Sequence, residues 1–286
     1  MIIETAIGDA YGAAFEFVQG LPIGNSGERF YDHPAKMASD GSGVPRKAGC
    51  YTDDTQMTIA VSEAIILIKN GVKADKQLFA QSFLNAFHRD PIPAYSPGFY
   101  RFMLDVTSSE QFLKTIETNS TRNGAAMRSV PVGLLSNIDE VIHVSDIQSS
   151  TTHDTLNGRD SARIIALAAF YIRLHGRKNL VEFLNSMVPG YNLEIPFQKR
   201  VPCCGMSSAK AVITNIMASD SMKTVLTNCI YQGGDTDTTA ALAMGLMSLD
   251  KSIVNDLPLE LYRTLNDGRY GKQYCLDLDR RLTALI

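Results

Sequence analysis

Apolar residues recur at helical spacing along most of this chain. Met222, Val225, Leu226, Cys229 and Ile230 fall at i, i+3, i+4, i+7 and i+8, one stripe on one helix face. Phe79, Phe83 and Phe87 repeat every fourth residue beside Leu78 and Leu84, and Leu180, Val181, Phe183, Leu184 and Met187 repeat the idea. Residues 162–174 are apolar nearly all round, which predicts a central buried helix. Alternating β-branched runs bounded by turn residues are nearly absent. The pattern predicts an all-α fold of roughly ten or more helices, at a mean length of ~11–12 residues. Segments 20–49, 89–97, 117–123 and 189–205 read as loops. The first and last are long enough to suggest a functional role. With no composition shift and no internal repeat, residues 1–286 read as a single domain.

Composition removes several classes. The 286 residues carry 27 Lys+Arg against 30 Asp+Glu, a net charge of −3, so the basic footprint of a general nucleic-acid binder is missing. At 45% hydrophobic and 20% charged residues the chain belongs with globular proteins. Its longest apolar run, 164–172, is about half a membrane span. The N-terminus lacks the cationic-then-apolar order of a secretory signal. Five cysteines, an odd count with no CxxC pair, read as reduced thiols. The expectation is a cytoplasmic monomer without membrane contact.

Candidate chemistry lies at two helix starts. Thr52-Asp53-Asp54-Thr55 opens an apolar helix that Asn70-Gly71 ends, with Thr52 or Asp53 as N-cap. Asp235-Thr236-Asp237-Thr238 opens a second. Capping alone would explain either cluster, because Asp and Thr satisfy free N–H groups and suit the helix dipole. A cap needs one side chain, however, and each cluster offers two carboxylates and at least two hydroxyls before a helix apolar enough to be buried. Crowded buried carboxylates require neutralisation. No Lys or Arg lies inside either cluster, and no His or Cys is spaced for zinc, so hard oxygen ligands point to Mg²⁺, Mn²⁺ or Ca²⁺. With Glu16 the five carboxylates carry five negative charges, nearly balanced by two divalent cations.

Taken together, Gly8-Asp9-Ala10-Tyr11-Gly12 with Glu16, Tyr51-Thr52-Asp53-Asp54-Thr55, Asn123-Gly124-Ala125-Ala126-Met127-Arg128, Thr152-His153 and Gly233-Gly234-Asp235-Thr236-Asp237-Thr238 resemble the ADP-ribosylglycohydrolase family in order and spacing. The resemblance implies an orthogonal helical bundle around a central cleft holding two Mg²⁺ or Mn²⁺ ions. It implies Thr52, Asp53, Asp54, Asp235, Asp237 and Thr238 as metal ligands, with Glu16 at the cleft mouth, approaching a metal or gating entry. It further implies that Ser120, Arg122, Asn123 and Gly124 form a loop on the diphosphate and distal ribose, that His153 lines the same pocket, and that Gly98 belongs to a glycine loop near the ligand. The implied activity is hydrolysis at ribose C1 of an ADP-ribosylated protein or small molecule, with Asp53, Asp54 or Glu16 as general base. A non-catalytic ADP-ribose binder and a two-metal phosphoesterase are the rival readings. Arg122 stands where the family often has Gly, and Tyr51 where it often has Trp.

Other residues are weighed on their own. Gly8 and Gly12, four apart, suggest a flat helix face for close packing. Asp9 divides evenly between a structural hydrogen-bonder and a group orienting a metal ligand. Arg128 is expected in an internal salt bridge in preference to a phosphate contact. Phe99, Tyr100 and Phe102 are expected in the core and not under an adenine. Cys203 and Cys204 read as ordinary thiols.

Overall fold

Gly8 and Gly12 allow two buried helices to meet backbone to backbone. They lie on α1 (Ile2–Gly12), which is buried except at Glu4 and packs along α11 (Thr236–Met247), buried throughout. A Cβ on Gly8 would stand 2.7 Å from the carbonyl carbon of Ala240, and one on Gly12 would stand 2.6 Å from Asp237 Cα. Backbone therefore touches backbone, and only glycine permits it.

Around this pair the computed structural model, which describes residues 1–20, 22, 24–34 and 46–285, is helical. The remaining α-helices in chain order are α2 (Asp53–Lys69), α3 (Lys76–Arg89), α4 (Pro97–Asp105), α5 (Ser109–Thr115), α6 (Ile138–Ser150), α7 (Leu156–His175), α8 (Leu180–Met187), α9 (Gly205–Met217), α10 (Met222–Gln232), α12 (Leu259–Thr264) and α13 (Lys272–Thr283). The all-α fold class read from the periodicity is what forms. The apolar run expected to be central lies in α7, and Phe79, Phe83 and Phe87 of α3 are all buried. Side chains of Asp75, Asn137, Thr155 and Ser221 accept N–H groups at the starts of α3, α6, α7 and α10, fixing those boundaries. Among the described residues no helix is long and apolar enough to cross a membrane.

Two of the expected loops are fastened by short backbone bridges. Asn119 pairs with His153, and Val201 pairs with Gly234. In the second case Val201 N–H donates to Gly233 O, and Asp235 N–H donates to Val201 O, both at 2.9 Å. The 189–205 segment is thus clamped onto the turn that carries Asp235. Of the expected 20–49 loop, residues 21, 23 and 35–45 lie outside the described residues; near it, the Tyr11 hydroxyl accepts from Gly27 N–H and donates to Asn25 Oδ1. The aromatics of α4 face the core, Tyr100 against Phe87 at 5.5 Å and Phe102 against Phe112 at 5.1 Å.

Candidate active site

The start of α2 is organised from behind by Asp9. This buried carboxylate of α1 accepts the backbone N–H groups of Thr52 and Thr55 and, at 2.6 Å, the Thr55 hydroxyl. Thr52 is the N-cap, its Oγ1 taking Asp54 N–H. With the free helix donors satisfied this way, the carboxylates of Asp53 and Asp54 are not consumed as caps. Asp54 Oδ1 is buried with no hydrogen-bond partner among the described residues. At the start of α11, Asp235 occupies the N-cap position yet makes no side-chain capping bond. Its Oδ2 instead accepts from Asn123 Nδ2 at 2.7 Å. Capping does not account for these groups.

Glu16, Asp235 and Asp237 bring carboxylate oxygens within 4.8 Å of one another, all three residues buried. Burial first, and then the neighbouring carboxylates, pushes Asp54 and Asp237 well above the usual carboxylate range. Asp53 is raised by the same causes, burial and then Asp9. A group of hard oxygen donors that repel one another without a cation, with one oxygen buried and unpartnered, fits a divalent-ion site. Arg46, outside both clusters, is a cation whose charge acts on Asp53.

The loop residues separate into two groups. Asn123 is turned inward: Nδ2 also reaches Thr238 Oγ1 and Ser208 Oγ, each at 3.1 Å. Its amide braces the acid cluster, a location that alters its expected phenotype. Asn123→Ala should cost about 1–3 kcal/mol, the range for an unmade buried polar contact, visible in thermal stability and in Mn²⁺ affinity. A change confined to KM, with Mn²⁺ binding intact, would contradict this bracing role. Gly124 presses on the His153 ring: a Cβ there would come within 2.8 Å of Cε1. Ser120 accepts from Arg122 N–H through Oγ and from the Thr155 hydroxyl through its carbonyl. Arg122 is exposed at this edge, its charge acting on Cys203. Gly98 is exposed in the first turn of α4 with open space around it.

Ser208, which accepts from Asn123 beside the acid cluster, escaped the sequence reading because no local pattern marks it. Asp9, weighed evenly between a structural hydrogen-bonder and an orienting group, is a hydrogen-bond acceptor that orders the start of α2. Burial, and then Asp235 and Glu16 nearby, pushes the Cys203 thiol up, so it stays protonated beside the acid cluster. The internal salt bridge expected of Arg128 is absent among the described residues. Its guanidinium is buried against neutral acceptors, Gln148 and Thr152, and lies 4.0 Å over the Phe83 ring, because helices α3, α6 and α7 offer no carboxylate there. Burial, with Arg128 adding repulsion, lowers His153 to about 3; burial and Arg46 lower His33 to about 4. Both histidines titrate near 6.5 when unfolded, so below that pH the unfolded chain binds protons the native state refuses. Their contribution is intact above pH 6.5 and is lost on acidification, at about 1.4 kcal/mol per pH unit for each. Thermal unfolding between pH 7 and 5 should therefore be less steeply pH-dependent in His33→Gln than in wild type, and parallel curves would contradict it.

The class defined by this arrangement is an all-helical protein with a buried carboxylate cluster built from two helix starts. The ADP-ribosylglycohydrolase family model matches residues 2–265, and the chain belongs to that family. It is 26% identical over 269 residues to the ADP-ribosyl-[dinitrogen reductase] glycohydrolase of Rhodospirillum rubrum, covering 88% of this chain and 84% of that one. Against ADP-ribosylhydrolase ARH3 of Bos taurus the identity is 25% over 190 residues, 64% of this chain but only 51% of the relative. The fold is shared with an ADP-ribosylglycohydrolase-related protein complex at a TM-score of 0.70 and 17% identity, over 99% of this chain and 94% of the other. The protein is a glycosyl hydrolase of this family.

Proposed function

We propose that the enzyme cleaves the glycosidic bond at ribose C1 of mono-ADP-ribosylated targets, arginine-linked or similar, with two divalent cations, Mg²⁺ or Mn²⁺, in the acid cleft. The observation that carries this reading is the buried Asp54 Oδ1, unpartnered among the described residues, beside the converging oxygens of Glu16, Asp235 and Asp237. Thr52, Asp53, Asp54, Asp235, Asp237 and Thr238 would hold the ions. Cations bound there would supply Lewis acidity to oxygen ligands, the ribose hydroxyls among them.

The chain's own contribution is positional and electrostatic. Cleavage at C1 passes through an oxocarbenium-like state, and the fixed carboxylates of α2 and α11 stabilise the positive charge that develops there. Asp53, Asp54 and Glu16 are the candidates to take the proton of the attacking water. Asp9 and Asn123 keep the two helix starts in register without touching the reacting atoms. Ser120, Gly124, Arg122 and His153 form the wall on which the ADP-ribose diphosphate would rest. Gly98 is assigned to the rim of the same pocket.

The test is direct. With Mg²⁺ present, the protein should release free ADP-ribose from ADP-ribosyl-arginine, and O-acetyl-ADP-ribose and ADP-ribosylated DNA define its leaving-group range. ADP-ribose binding without release from any of the three would replace hydrolysis by a binding role.

A further inference from the structure

Arg128 is a buried cation that the proposed chemistry leaves unused, 2% exposed and with no carboxylate partner among the described residues. Such a group is costly unless every donor is placed. Its Nε donates to Gln148 Oε1 at 2.9 Å, and Nη2 donates to Gln148 O at 3.2 Å and to Thr152 Oγ1 at 2.7 Å. The orientation of Gln148 is fixed independently, because its Nε2 donates to Ala125 O and Ser129 Oγ.

A guanidinium can only donate, so Thr152 Oγ1 is an acceptor towards Arg128. Its second lone pair could accept again, but the hydroxyl proton has no other acceptor among the described residues than His153 Nδ1, at 2.7 Å. Directing that hydroxyl proton at Nδ1 satisfies both groups, and the neutral ring then carries its own proton on Nε2. A proton on Nδ1 as well would set a second cation beside Arg128 in a buried site. The backbone that carries the ring is tied in place, and one ring edge is packed. His153 N–H donates to Ser149 O, Asp154 N–H donates to Thr118 O, and the Cε1–Nε2 edge lies against Gly124. Gly124 follows Asn123, the residue that braces Asp235.

We propose that Arg128 is a positioning residue that acts through the Thr152 hydroxyl to hold His153 as the Nε2–H tautomer, a fixed hydrogen-bond donor to a phosphate oxygen of the bound ligand. The ligand half rests on the reading of this cleft as an ADP-ribose site. The tautomer half does not. A donor held without a positive charge favours an anion by direction alone, and it does not become a competing cation for the acid cluster nearby.

Nitrogen-15 spectra of the full chain separate these claims, with His153→Gln identifying the resonance among five histidines. Wild type and Thr152→Ser should show a protonated Nε2 and a pyridine-like Nδ1. Thr152→Val, which keeps the volume but loses the hydroxyl, should show Nδ1–H or a mixture. Calorimetry should find ADP-ribose affinity about tenfold weaker in Thr152→Val, restored in Thr152→Ser, with Mn²⁺ affinity unchanged in both. An imidazolium or Nδ1–H in the wild type at neutral pH overturns the proposal, as does a valine variant whose tautomer stays put. A tautomer that moves while ADP-ribose affinity holds overturns the donor role. If the wild type fails to bind ADP-ribose at all, the reading of the cleft falls, and the spectra still decide the positioning claim.

Discussion

Asp54→Asn and Asp237→Asn should each lower kcat by about 10²–10³-fold and abolish high-affinity Mn²⁺ binding, while the chain stays folded. The magnitude follows from losing several kcal/mol of transition-state charge stabilisation, at 1.36 kcal/mol per factor of ten. Saturating substrate should not recover the rate, because the groups lost act on the reacting ribose and not on remote binding. Stability supplies an independent readout. A metal at 100 times its Kd stabilises the native state by about 2.7 kcal/mol, which for a chain of this size is roughly 5–10 °C in Tm. Chelation should remove that increment from the wild type and leave both variants unmoved, since they have none to lose. Without metal, each asparagine relieves a buried carboxylate that its neighbours push above its usual range, so the variants should match or exceed the chelated wild type. Unchanged metal stoichiometry in both variants would rule out this ligand set.

Gly12→Ala should cost about 3 kcal/mol or more and also disable the site, although it adds only one methyl group. The added carbon would lie 2.6 Å from Asp237 Cα and 2.7 Å from the Thr236 carbonyl carbon, both backbone atoms that cannot rotate away. Overpacking usually costs about 1–3 kcal/mol, and a clash with two helix backbones belongs at or beyond the upper end. Relief requires α1 and α11 to separate at the turn bearing Asp235 and Asp237, which moves two of the carboxylates. Gly8→Ala should destabilise comparably, since it meets Ala240 and Ala241 a turn further along α11, but should spare Mn²⁺ affinity more. Gly98→Ala, with nothing within reach of its new methyl, is the control and should leave Tm within error. Equal losses of Mn²⁺ affinity in Gly8→Ala and Gly12→Ala would show that the local displacement is not the cause.

Helical periodicity by itself was sufficient for the all-α class, because a stripe at i, i+3, i+4 and i+7 has one stable use, burial against other helices. The two acidic helix starts were equally legible, since local capping needs fewer carboxylates than each contains. Gly8 and Gly12 stood out by spacing, a property of one helix. What the sequence could not decide was which distant groups satisfy which. Asn123 looked like a turn residue on a diphosphate loop, yet its amide crosses 112 positions of chain to Asp235. Arg128 suggested a salt bridge, and only the packing of α3, α6 and α7 determined that neutral acceptors and an aromatic ring surround it. Asp9 holds the start of α2 from 43 residues away, and Cys203 meets Asp235 because the 189–205 segment is clamped at Val201. Periodicity and capping act over a few residues, so the chain itself records them. Hydrogen-bond partners far apart in sequence are selected by helix packing, and that selection exists only once the helices have met.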